Sequence, residues 1–148
     1  MASRESRYAH SSLSKKKIIF ETIIIKKTLN MKTHKDLDAW KNSIILVTDI
    51  YKITQKFPKD EIYGITSQIR RSAVSIPSNI AEGAGRNHDK EFIQFLYISL
   101  GSLSELETQL IISCNLKFIN ETDYNPISLI IGVIRGQISS LIRYLKNK

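Results

Sequence analysis

Six polar residues recur on one side of the segment 57–86: Gln68, Arg71, Ser75, Ser78, Asn79 and Glu82. On a helix they form a stripe opposite an apolar ladder. A later apolar-periodic segment adds Gly101, Ser102, Glu105 and Gln109 away from its core side. Two kinds of chemistry fit this set. In the first, Arg71, Asn79, Glu82 and Glu105 converge on a polar ligand. In the second, the stripe is an interhelical or intersubunit hydrogen-bond network that fixes register. The network is the preferred reading, because semi-buried polar groups need partners and an Arg–Glu pair supplies its own.

Catalysis finds little support. Glu82 and Glu105 lack an aspartate or histidine placed to split their pKa values into an acid and a base. Ser72, Ser75, Ser78, Ser99, Ser102 and Ser104 stand in no motif with a His or Lys partner. There is no phosphate-cradling GxxxxGK[ST] and no dinucleotide fingerprint, and Gly83-Ala84-Gly85-Arg86 reads as a helix terminator. His10, His34 and His88 are scattered, so no metal is expected. The one cysteine, Cys114, precludes an internal disulfide and is expected in the core. The sequence predicts a protein that is not an enzyme and needs no cofactor.

Basic residues remain. Arg135, Ser139, Arg143 and Lys146 fall within about 80° of one another on a helix, a basic edge beside the core stripe. Arg70, Arg71, Arg86 and Lys90 add cations from earlier elements, and Arg70 or Arg71 could equally anchor an interface. Of the net charge of +8, residues 1–30 carry seven basic and two acidic side chains, leaving 15 basic against 12 acidic beyond them. Total charge is thus a weak argument for a nucleic-acid partner. The cations placed to meet a phosphate backbone, should one bind, are Arg70, Arg71, Arg86, Lys90, Arg135, Arg143 and Lys146. Tyr51, Tyr63 and Phe92 read as core or interface residues, so backbone- or shape-directed contact with low sequence preference is expected.

These residues need helices to carry them. Ile62, Ile65, Ile69, Ala73, Ile76, Ile80 and Ala84 fall within about 60° of one another, one stripe of about six turns. Pro77 interrupts it, yet the stripe resumes in phase, which predicts one kinked helix ending at Gly83 and Gly85. Before it, a helix over about Asp36 to Lys56 carries two apolar stripes: Leu37, Trp40, Ile44, Val47 and Tyr51 inward, and Ala39, Leu46, Ile50 and Ile53 opposite. The second stripe predicts burial against another subunit. A third helix, about Asp89 to Leu116, turns Phe92, Phe95, Leu96, Leu103, Leu106 and Leu110 inward. Its cap falls to Asn87, because His88 stands where a serine would suit. A fourth, about Asp123 to Lys146 with Pro126 in its first turn, lines up Ile127, Ile130, Ile131, Ile134, Ile138, Leu141, Ile142 and Leu145. Leu129 and Val133 lie off that stripe, so the expected oligomer interface is Leu46, Ile50, Ile53, Leu129 and Val133. Short connections favour an all-α, up-down-up-down antiparallel four-helix bundle.

The first thirty residues differ. Ser, Arg and Lys dominate up to Lys17, and the apolar run Ile18 to Ile25 is broken by Glu21. Eight residues are far below the roughly 18–20 that span a bilayer. No small-residue cleavage site follows, which argues against a signal peptide. A poorly ordered basic extension over 1–30 is expected, or a short strand-like or helical piece, with translation at Met31 the other possibility. The bundle domain is expected over 31–148.

Phe57-Pro58, Glu61, Tyr63-Gly64, Gln68-Ile69-Arg70-Arg71, Ser75-Ile76-Pro77 and Asn79-Ile80-Ala81-Glu82-Gly83 occur in one order. Glu91-Phe92, Phe95-Leu96 and Gly101-Ser102-Leu103-Ser104-Glu105-Leu106-Glu107-Thr108 follow. This series resembles the four-helix-bundle family encoded in intervening sequences of bacterial 23S ribosomal RNA genes, over about Met31 to Lys148. A related branch supplies the accessory protein of diversity-generating retroelements, a basic pentamer that binds nucleic acid and a reverse transcriptase. The resemblance implies a ring oligomer, most often a homopentamer, with RNA or DNA as partner; a cytoplasmic location is expected, and from the short apolar run no membrane partner. The alternative is an oligomeric scaffold for a protein partner such as a reverse transcriptase. Five copies of a domain at +3 would carry about +15, enough to attract a phosphate backbone.

Overall fold

The computed structural model describes residues 14–23, 26 and 33–148, which are all-helical with no strand among them. The chain divides into two units, Met1–Lys32 and Thr33–Lys148. In the first, residues 14–23 form a helix. The rest of the expected extension, apart from residue 26, lies outside the described residues.

The second unit contains four long helices: α1 (Asp38–Thr54), α2 (Ile65–Ala84), α3 (Asp89–Asn115) and α4 (Glu121–Lys146). Each packs on its neighbours in the chain, and α1 also packs on α4. Their core is aliphatic. Ile69, Ala73, Ile76 and Ile80 of α2, Leu96, Leu103, Leu106 and Leu110 of α3, and Ile131, Ile134 and Ile138 of α4 are fully buried. Phe95 and Ile130, expected inward, are half-buried at the margin.

A short 3-10 turn, His34–Asp36, leads into α1 and is closed by a capping box between Thr33 and Asp36. A second, Lys59–Glu61, follows Pro58, so α2 begins at Ile65 and Ile62 stands exposed outside it. Glu61 Oε2 accepts from the Ile65 amide at 3.3 Å, satisfying one N–H of the first turn. Pro77 lies inside α2, which continues through it. The C-terminus of α3 closes through Lys117, whose φ of 63° is left-handed, while the Phe118 amide donates to the Ser113 carbonyl at 2.9 Å. Asn120 caps α4, its Oδ1 accepting from the Asp123 amide at 2.8 Å. The helix therefore starts two residues before the expected Asp123, and Pro126 falls in its second turn.

Four expectations need correction. The faces of α1 are exchanged: Leu46 and Ile50, assigned to an oligomer interface, are 0% exposed within this chain, whereas Ile44 and Tyr51 are exposed. Ser43 and Thr54 share the buried face because each hydroxyl donates to its own helix, to Ala39 O at 2.5 Å and Ile50 O at 2.8 Å. Ile53 is half-buried beside them.

Gly83 does not serve as a left-handed terminator. It is buried inside α2, where a Cβ would lie 2.6 Å from Phe95 Cβ and 2.8 Å from Phe92 Cδ2. Its missing side chain lets α2 and α3 approach. Gly85 closes α2 with a right-handed backbone, φ −79° and ψ −7°. At Gly101, by contrast, an added Cβ would meet nothing within 4 Å of this chain.

His88, not Asn87, occupies the cap position of α3, and no side chain bonds there. Cys114 is half-buried rather than in the core. Burial raises its thiol pKa, and the Glu121 carboxylate adds to that, with Lys117 opposing.

Candidate nucleic-acid interface

The polar stripe is an interhelical ladder between α2 and α3. Ser72 Oγ donates to Gln109 Oε1 at 3.0 Å, and Gln109 Nε2 donates to Glu105 Oε1 at 3.1 Å. One turn on, the Ser75 and Ser102 hydroxyls share a hydrogen bond of 2.9 Å, and Asn79 Nδ2 donates to Ser75 Oγ at 2.9 Å. Ser99 Oγ donates to the Ile76 carbonyl at 3.1 Å, one residue before Pro77. Arg71, Asn79, Glu82 and Glu105 do not converge. Glu82 pairs with Arg86, Glu105 faces Gln109, Asn79 bonds Ser75, and Arg71 is exposed.

The seven candidate cations separate by location. Arg70 lies across α1: its Nε donates to Thr54 Oγ1 at 2.9 Å and its guanidinium sits 4.6 Å from the Tyr51 ring centre. That is an interhelical strut. Arg135 is tied midway along the α3–α4 seam to Glu107 at 2.6 Å. Arg71 is exposed on the first half of α2, and the remaining four meet away from it, at the end of the helical unit where α3 begins and α4 finishes. Lys146 Nζ donates to the Tyr97 hydroxyl at 2.9 Å, and Lys148 Nζ lies 3.3 Å from Asp89 Oδ2. These contacts bring the last turn of α4, with Arg143, beside the first turns of α3, with Lys90. Arg86 joins them from the α2–α3 connection, paired with Glu82 at 2.8 Å and 5.2 Å from the Phe95 ring centre.

Arg86, Lys90, Arg143, Lys146 and Lys148 thus gather at one end. Acidic residues stand among them, Glu82, Asp89 and Glu91 on α2 and α3 and Asp36 and Asp38 before and at the start of α1. Lys148 was not among the expected residues; it follows the last helical turn and belongs to no periodic stripe. Tyr97 was also missed. Its ring is 49% exposed and carries the Lys146 ammonium 5.3 Å from its centre. The amino end of α3 adds its partial positive charge there, with no side chain capping it. An exposed aromatic face among cations can stack a base while the cations hold phosphates.

The apolar residues predicted on α4's outer face are exposed, Leu129 at 73% and Val133 at 51%. Among the described residues, no group of three or more His, Cys, Asp or Glu is placed to hold a metal.

Residues 35–140 match the family described as 23S rRNA-intervening sequence protein. Among solved structures, the helical fold resembles a protein of unknown function from the S23 ribosomal protein family of Bacteroides thetaiotaomicron VPI-5482. The TM-score is 0.66 at 24% sequence identity, covering 70% of this chain and 97% of that one. No curated protein matches the chain.

Proposed function

The chain belongs to the 23S rRNA-intervening sequence protein family, and from that footing we propose a non-catalytic, homo-oligomeric protein that binds the backbone of RNA or DNA with low sequence specificity. The observation that carries this reading is the basic end beside Tyr97, where Lys146 meets the ring and Lys148 meets Asp89. Phosphates along a single strand would engage Lys90, Arg143, Lys146 and Lys148, releasing counterions, and Tyr97 would stack a base. Stacking and backbone contact both tolerate any sequence, which is why specificity is low.

We read the four packed helices as an up-down-up-down antiparallel bundle with α2 bent at Pro77. Copies assemble into a ring, most simply a homopentamer, through the outer face of α4 at Leu129 and Val133. A ring repeats the basic end in every subunit, so a modest charge per copy becomes a strong field. In this reading the protein acts by holding its partner.

The exposed Leu129–Val133 face favours a second reading, an oligomeric scaffold for a protein partner such as a reverse transcriptase. Salt separates the two. Anisotropy of a labelled single-stranded RNA, titrated with the protein at low and moderate salt, should show affinity falling steeply as salt rises. No RNA binding at either salt would sink the nucleic-acid reading and leave the scaffold.

A further inference from the structure

The helix over residues 14–23 has two kinds of surface. Ile18, Ile19, Phe20 and Ile23 are each 57–59% exposed. Lys15, Lys16 and Lys17 precede them and Lys26 follows, all exposed. Two polar residues lie among them: Glu21, which is half-buried, and Thr22, whose Oγ1 donates to the Ile18 carbonyl at 2.7 Å. Four large apolar side chains held in water are unfavourable by about 25 cal/mol for each Å² exposed, and burial of that surface has to come from outside this helix.

We propose that this helix, with Lys26, binds the surface of an anionic lipid bilayer. Charge and apolarity together select that occupant. Phosphates of a nucleic acid would satisfy the lysines and leave Ile18, Ile19, Phe20 and Ile23 in water. An apolar protein groove would cover those four and gain nothing from cations at both ends. A bilayer surface supplies both: lipid phosphates for the lysines and the acyl boundary for the isoleucines and Phe20. The ten described helical residues of 14–23 extend about 15 Å, half of the roughly 30 Å hydrocarbon core, so the proposed contact is with the membrane surface and not across it. The expectation of no membrane partner came from spanning length, which surface contact does not require. This proposal is independent of the nucleic-acid reading, which rests on the other unit of the chain.

The test is co-sedimentation of the full chain with vesicles of phosphatidylcholine alone and of equimolar phosphatidylcholine and phosphatidylglycerol. The protein pellets with the anionic vesicles only. Replacing Lys15, Lys16 and Lys17 together by Glu lowers the partition coefficient at least roughly a hundredfold, at about 1 kcal/mol per lysine. Ile19→Asp with Phe20→Asp abolishes pelleting. A Phe20→Trp reporter, read against the single native Trp40, shifts its emission to the blue on anionic vesicles. The proposal is overturned by no pelleting, by equal pelleting on both vesicles, or by undiminished pelleting of the aspartate variant. It also falls if the lysine variant loses RNA while the parent ignores vesicles.

Discussion

Lys146 reaches from the last turn of α4 to Tyr97 on α3, its Nζ donating to the phenolic oxygen at 2.9 Å and standing 5.3 Å from the ring centre. Tyr97 is 49% exposed there. A base stacking there is worth about 1–3 kcal/mol. Tyr97→Ala is therefore expected to weaken single-stranded RNA binding roughly tenfold or more, while Tyr97→Phe keeps the stacking surface and most of the affinity. Anisotropy titrations of the two variants check this. Equal losses in both would mean that the hydroxyl, and not the ring, matters.

The cations at this end should differ from those elsewhere. Lys90→Glu with Lys146→Glu removes two phosphate contacts, so the slope of log affinity against log salt should flatten by about 1.4 for a single strand. Arg135→Ala should change affinity little, because its guanidinium already meets Glu107 at 2.6 Å in mid-seam. Its effect on stability should also be small, about 0–1 kcal/mol for an ion pair with this much solvent around it. A large loss of RNA affinity on Arg135→Ala would move the interface to the seam.

Glycines give a sharp contrast within one fold. At Gly83 a Cβ would stand 2.6 Å from Phe95 Cβ, so Gly83→Ala forces α2 and α3 apart and costs about 1–3 kcal/mol, less the gain in helix propensity. At Gly101 a Cβ meets nothing within 4 Å of this chain, so Gly101→Ala should raise stability by up to about 1 kcal/mol. Thermal unfolding followed by circular dichroism should show the two melting temperatures moving in opposite directions. A shared direction would contradict the close α2–α3 approach.

The sequence made some of this legible for physical reasons. The ladders of α2, α3 and α4 repeat Ile and Leu at helical spacing so regularly that one face alone can be the core. On α1 two apolar stripes compete, and the larger side chains, Trp40, Ile44 and Tyr51, point to the wrong one. Burial follows Leu46 and Ile50 together with Ser43 and Thr54, two polar residues that count as core only because their hydroxyls bond the helix's own carbonyls. The role of Gly83 depends on Phe92 and Phe95 in the following helix, beyond the reach of local pattern. Tyr97 and Lys146 are 49 residues apart, and no spacing rule joins them. Basic residues could be found by type, but only tertiary contact sorts Arg70 and Arg135, tied to neighbouring helices, from the group at the end.

Cys114 offers a chemical check on the α3–α4 connection. Its thiol pKa is raised, first by partial burial and then by the Glu121 carboxylate, with Lys117 opposing. Alkylation by iodoacetamide requires the thiolate, so labelling should be slower than for a free cysteine at about pH 8 and should accelerate above the ordinary thiol range. Glu121→Gln removes a repulsive charge, lowers the pKa and speeds labelling at fixed pH. Lys117→Ala should slow it. Mass spectrometry of timed quenches reads both, and a reversed pair of effects would refute the assigned neighbours.

The outer face of α4 tests assembly separately from folding. Leu129 and Val133 are exposed on this chain, so Leu129→Glu with Val133→Glu leaves the fold intact and should reduce the mass seen by light scattering during size-exclusion chromatography. Leu46→Glu with Ile50→Glu is a different experiment, because both positions are 0% exposed. Two unpaired carboxylates there would cost several kcal/mol, a large part of the stability of such a chain, and should abolish helical circular dichroism. The informative pattern is a smaller particle with full helicity for the first variant and lost helicity for the second. If the first variant assembles as the parent does, α4's outer face is not the subunit contact. The exposed stripe of α1, at Ile44 and Tyr51, then becomes the surface to change next.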